Sequence, residues 1–132
     1  TVCKILSDNN VKAEVMNISV LNPLSIKKII NSVKKTKRVL IVDNGWKNYG
    51  IGSEIFARLF ENFTKTKITC ERMGIADSPI PSTISLSKHS YPTKFTIIKK
   101  IEKILKKKLI IKQKYISKIP SDQPDKSFLG PF

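Results

Sequence analysis

Residues 38–43 read RVLIVD, and the next dozen residues hold three of the five glycines in the whole chain, Gly45, Gly50 and Gly52. A short, continuously apolar run is what a strand covered on both faces needs. Beyond the glycines, SEIFARLFENF places Ile55, Leu59 and Phe63 four residues apart, which predicts an amphipathic helix. A buried strand that turns through glycines into such a helix constrains the chain to a layered α/β fold.

The flanking sequence agrees. Residues 1–9 read as a short helical piece with Val2, Ile5 and Leu6 on one side, and KAEVMNI, 12–18, alternates as a strand does. LNPLS is a turn in which Ser25 is expected to cap the helix IKKIINSVKK, whose Ile26, Ile29, Ile30 and Val33 keep the helical period. KITCERM predicts another strand. Pro79, Pro81 and Pro92 then mark residues 74–92 as a long irregular connection. A helix is expected from about Thr93, with Ile97, Ile98, Ile101, Ile104 and Leu105 on one stripe and Lys99, Lys100, Lys103, Lys106 and Lys107 opposite. A helix lying on a membrane has that pattern, as does one packed on a sheet, and the strands favour the sheet. The reading is one domain over residues 1–108 and a basic, proline-containing tail over 109–132, whose Phe128, Leu129 and Phe132 are expected to dock on a neighbouring subunit or domain.

The glycine stretch suggests a phosphate loop and meets neither pattern. Gly50 and Gly52 supply G-x-G, but Ile55 takes the third glycine's place, and no G-K-[ST] follows. Glycines also allow close backbone approach, and Glu54 near the helix start complements the positive end of the helix dipole. Backbone N–H groups there are a candidate anion site. Asp43, at the end of an apolar strand, stands where ligands bind in open α/β sheets and equally where a carboxylate holds the following loop. His89 is the only histidine, so no His-based metal cluster is possible, and its loop beside Pro92 reads as surface.

Charge bears on partners. The formal net charge is +15, carried by 22 Lys and only three Arg, beside 20 Ile and eight Asn. Arg, with its bidentate fork, is the residue that nucleic-acid recognition favours. A Lys, Ile and Asn excess reads as a chain-wide bias more than as a reading surface, and a basic nucleic-acid or anionic-surface binding module is the alternative function. No apolar run is long enough to span a membrane, TVCKILSDNN is no signal peptide, and Cys3 and Cys70 lie too far apart for a C-x-x-C site. Free thiols in a reducing cytoplasm are expected.

Taken in order, the PL turn before a helix, the SVKKTKR join, the VD strand end, the G-x-G-x-E-I helix opening and the D-x-P-x-P segment at Asp77, Pro79 and Pro81 resemble a known family. It is the C-terminal domain shared by transketolase and the beta subunits of 2-oxoacid dehydrogenases, the pyruvate, branched-chain and acetoin enzymes among them. The likeness extends over about residues 10–108.

The resemblance implies a three-layer α/β/α domain around a mostly parallel sheet of about five strands. The chain opens on a helix where such a fold opens on a strand, so upstream sequence carrying the first strand is expected. Thiamine diphosphate and magnesium are implied for the whole enzyme and held by its other domains, where the cofactor carries the cleavage of a 2-oxo acid or ketose. The G-D-G that opens the magnesium-diphosphate signature is absent here. No catalytic, cofactor-binding or metal-ligating residue is therefore assigned. Asp43, Gly50, Gly52, Glu54, Asp77, Pro79 and Pro81 are family-motif positions of structural role. Asp43 stands where many relatives have Glu. The implied partners are the alpha subunit or a second beta subunit of the same enzyme and an acyltransferase core.

Overall fold

The computed structural model describes residues 1–75, 77–87 and 89–116; the expected anchors Phe128, Leu129 and Phe132 lie outside them. The elements in chain order are α1 (Val2–Asp8), α2 (Ile26–Thr36), β1 (Arg38–Trp46), α3 (Ile51–Asn62), β2 (Thr69–Ile75), α4 (Ile84–Ser87) and α5 (Lys94–Leu105), followed by a single 3-10 turn, Gln113–Tyr115. The expected order of helices and strands is thus largely kept, and the fold is α/β.

β1 and β2 run parallel, with Val39 opposite Cys70, Leu40 opposite Glu71, Ile41 opposite Arg72 and Val42 opposite Met73. Side chains alternate between the faces of a strand, which sorts these pairs into two sets. Val39, Ile41 and Cys70 pack against a core of Ile29, Ile30, Val33, Ile55, Leu59 and Phe63, the inner faces of α2 and α3. On the opposite face α5 lies over the sheet, and Lys100 reaches Glu71 of β2 at 2.8 Å. Behind α5, a second core joins Ile5 and Leu6 of α1 to Ile98 and Leu109. Helices on both faces of a parallel sheet make the three layers.

Two strands are paired among the described residues, against the about five that the resemblance implies. Residues 12–18 correct one expectation directly. The segment does not join the sheet, and Val15 is 71% exposed. A strand needs a neighbour to hydrogen-bond, and alternation alone does not supply one. Ile18 still packs against the α2–α3 core, and Glu14 meets Lys35 at 3.6 Å, so the segment is laid along α2 rather than paired with β1.

The caps are mixed. Thr93 forms the expected start of α5 as a full capping box with Thr96. Ser25 does sit at the N-cap of α2, but its side chain makes no capping bond, contrary to expectation. Packing continues past Lys108. Leu109 is buried with Ile5, Leu6 and Ile98, and Ile111 and Tyr115 pack on that cluster. Asn9 explains how the segment is held: its Nδ2 donates to the Ile5 and Ile110 carbonyls, and its Oδ1 accepts the Ile110 N–H at 2.7 Å. One side chain closes the end of α1 and pairs with the backbone of residue 110 as a strand would.

Candidate functional site

The turn between β1 and α3 gathers most of the family-motif residues. The register of β1 on β2 slips between Val42 and Trp46, so the ladder is interrupted there and resumes with Trp46 opposite Ile75. Asp43 sits at this slip. Its Oδ1 accepts the Gly45 N–H at 3.1 Å, the short loop-holding bond that an Asp at a strand end can make. A Cβ built on Gly50 would lie 3.6 Å from Asp43 Oδ2, so the carboxylate lies beside the N-cap of α3. The negative group at the positive end of this helix is the chain's own. Of the two roles open to Asp43 from sequence, the observed hydrogen bond is the loop-holding one.

Gly52 is buried at the second position of α3, where a Cβ would meet Ile41 Cγ2 at 3.4 Å. That is an ordinary contact, so the seating of the helix on the strand does not depend on a missing side chain here. Arg72 completes the arrangement. Facing α3 from β2, its Nη1 donates to the Lys47 carbonyl at 2.9 Å and to Ser53 Oγ, and its guanidinium lies over the Phe56 ring at 5.2 Å. Ser53 Oγ in turn donates to the Lys47 carbonyl. Sequence reasoning missed Arg72, because its partners are 25 and 19 residues away and no periodicity records such a pairing.

The other motif residues are less central. Glu54 leaves the turn to pair with Arg58 one helical turn on, at 2.6 Å. Asp77 is exposed and accepts a hydrogen bond from Asn48 Nδ2 at 3.3 Å, which ties the Asp-x-Pro-x-Pro segment to the glycine turn. Pro79 is exposed and Pro81 half-buried. His89 is exposed, as expected.

The polar atoms of this turn are largely engaged with one another, while its apolar side chains face outward. Val42 is 43% exposed, Trp46 45%, and Tyr49 fully exposed. Tyr49 also holds φ at 61°, the left-handed region that side chains disfavour. Among the described residues no group of His, Cys, Asp and Glu is placed to hold a metal ion. A magnesium-bound diphosphate needs clustered oxygen ligands, and the carboxylates here are dispersed: Asp43 on Gly45, Asp77 on Asn48, Glu54 on Arg58. These residues do not fit that group.

Neither cysteine is paired. Cys3 is exposed, and Cys70 is packed beneath α3, where burial pushes its thiol up to about 11. No described helix is long and apolar enough to cross a membrane.

Comparison with known proteins agrees with the geometry. The family model described as the transketolase C-terminal domain matches residues 1–97. The pyruvate dehydrogenase E1 component subunit beta of Rickettsia bellii is 34% identical over 101 residues, covering 76% of this chain and 31% of that protein. The mitochondrial subunit of the same name from Bos taurus is 35% identical over 103 residues, covering 76% and 29%. That of Dictyostelium discoideum is 37% identical over 84 residues, covering 63% and 24%. The chain therefore spans about three-tenths of the length of the first two relatives. A parallel sheet between helical layers, a glycine turn that leads from β1 into α3, and a family match over most of the sequence lead to one conclusion: this chain belongs to the transketolase C-terminal domain family.

Proposed function

We propose that the chain serves as the C-terminal assembly domain of a thiamine-diphosphate-dependent 2-oxoacid dehydrogenase beta subunit or transketolase-like enzyme. In this role it joins subunits and docks partners, and the chemistry proceeds on other domains. The observation that carries the reading is the outward apolar edge of the glycine turn, Val42, Trp46 and Tyr49, on a parallel sheet. Parallel sheets are ordinarily covered on both faces, and exposed aromatic side chains on a rigid turn are the material of interface anchors. The names of the relatives, subunits of a pyruvate dehydrogenase component, support the same direction.

The test is association. The 132-residue chain, mixed with the upstream domains of its beta subunit and with the alpha subunit, is expected to co-sediment, with slowed amide exchange from Trp46 to Gly50. Exchange that stays the same in the complex would sink the assembly role for this edge. Calorimetry addresses the cofactor separately. Thiamine diphosphate with magnesium added to the chain alone is expected to give no binding heat, and a micromolar isotherm would overturn the division of labour.

A further inference from the structure

The exposed side of α5 and the residues that follow it form a second surface, distinct from the glycine turn. Lys99, Lys103, Lys106, Lys107 and Lys108 line a shallow open groove there, with Glu102 as its one carboxylate among the described residues. That carboxylate is already engaged: Oε1 accepts the Leu109 N–H at 2.8 Å and Oε2 lies 3.9 Å from Lys108 Nζ. Lys103 stands 3.9 Å from Glu71, which Lys100 holds more closely. Lys107 donates to the Asn9 carbonyl. Lys99 and Lys106 have no carboxylate partner among the described residues. The groove is thus a concentration of positive charge that the acids among the described residues leave largely uncompensated.

We propose that this lysine stripe docks an extended acidic segment of a partner protein, with carboxylates at alternate positions; the inference rests on the docking role proposed above and names its partner chemistry. Two features carry it. The first is spacing. Lys99 and Lys103 stand one turn apart on α5, about 6 Å along its axis, and the chain then leaves the helix at the left-handed C-cap Lys106, with Lys107 and Lys108 beyond it. In an extended chain, alternate side chains share a face at about 6.7 Å. A strand-like segment with Glu or Asp at every second residue therefore sets two carboxylates in step with Lys99 and Lys103 and carries the next toward the lysines gathered at the end of α5.

The second feature is residue type. The groove is lined by Lys alone among the basic residues, and Arg38, Arg58 and Arg72 all lie outside it. Lys is a compact point charge suited to single carboxylates, without the fork that grips phosphate. Among the described residues no aromatic side chain lines the groove to stack a base. These points favour an acidic peptide over nucleic acid.

The probe is a fluorescein-labelled peptide of four Glu-Ser repeats, titrated into the full 132-residue chain by anisotropy at about 0.15 M salt. Lys99→Gln/Lys103→Gln/Lys106→Gln is expected to weaken binding about tenfold, three exposed pairs acting together. Lys27→Gln/Lys28→Gln/Lys34→Gln on α2 removes the same charge elsewhere and is expected to stay within about twofold. Equal weakening by both triples would reduce the effect to diffuse attraction and overturn the proposal, as would no binding to the unmodified chain. A short single-stranded oligonucleotide that binds more tightly than the peptide and is lost with the first triple would assign the groove to phosphate instead. Amide shifts in the unmodified chain provide a readout independent of variant folding; confinement to residues 99–108 is expected, and changes centred elsewhere overturn the site. Association with the other enzyme domains, measured on the first triple, separates the two readings. Peptide binding lost while association persists supports the stripe as a separate dock; association lost with peptide binding intact overturns it.

Discussion

The Trp46 carbonyl oxygen occupies the space that a side chain on Gly50 would need: a Cβ there would stand 2.2 Å from it. The backbone at Gly50, φ −77° and ψ 171°, is open to any residue, so the requirement for glycine is steric. Gly50→Ala must push the turn apart, and an expected cost of about 2 kcal/mol or more follows from overpacking against backbone. Gly52→Ala is the contrast. Its Cβ would meet only Ile41 Cγ2 at 3.4 Å, an ordinary contact, so the variant is expected to be neutral or to gain up to about 1 kcal/mol in helix propensity. Urea midpoints of the two variants check the pair; equal losses would mean that the two glycines serve one purpose.

Asn9 gives a second prediction. It donates to Ile5 and Ile110 and accepts from the Ile110 N–H. Asn9→Ala leaves these backbone groups to water, with an expected loss of about 1–2 kcal/mol. Faster amide exchange at Ile110 should accompany the lower melting temperature. An unchanged exchange rate would show that residues 109–116 are held by the packing of Leu109, Ile111 and Tyr115 and the contacts to Asp8 without Asn9.

How much of this was legible in sequence varies element by element. The paired strands and α2, α3 and α5 follow from local patterns: RVLIVD, the four-residue spacing of Ile55, Leu59 and Phe63, the apolar stripe through Ile98. Each of these signals survives in the fold because the residues it marks are close in sequence. Residues 12–18 show the limit, since their alternation describes a strand while pairing depends on a neighbour that periodicity cannot name. Arg72 and Asn9 mark another limit. Both hold the site or the fold through hydrogen bonds across long stretches of chain, and a single polar residue leaves no periodic trace.

Acid sensitivity follows from Glu71. Its carboxyl is held below the ordinary 4.5 chiefly by the hydrogen bond from Lys100, which outweighs the opposing effect of burial, with the nearby charges of Lys100, Lys103 and Lys47 adding to it. The folded value lies below the unfolded one, so the ionised pair stabilises the fold above pH 4.5 and the contribution fades as pH falls through the folded value. Glu71→Gln is expected to cost no more than about 1 kcal/mol at neutral pH, because the pair is partly exposed. It should also flatten the acid limb of a stability–pH profile below 4.5. A limb of unchanged steepness would transfer the acid sensitivity to Asp8 and Glu14, which are also held low by Lys112 and Tyr115 and by Ser32 and Lys35 respectively.

Tyr49 joins two properties that the isolated domain does not use. Its ring is fully exposed, and its backbone is held in the left-handed region at a cost of roughly 1 kcal/mol that glycine would not incur. Strain of this kind persists where the surrounding structure over-determines it, often at a working surface. Here it lies between the crowded Gly50 and Lys47, whose carbonyl Arg72 holds. Under the assembly reading, the strained turn presents the ring as an anchor for the adjoining subunit. Tyr49→Gly is therefore expected to raise the stability of the chain by up to about 1 kcal/mol while weakening its association with the other enzyme domains. Tyr49→Phe, which keeps the ring and the strain, should change neither by much. Melting temperature and sedimentation read the two effects separately: a more stable Tyr49→Gly chain that associates as well as before would leave the strain without an interface to explain it.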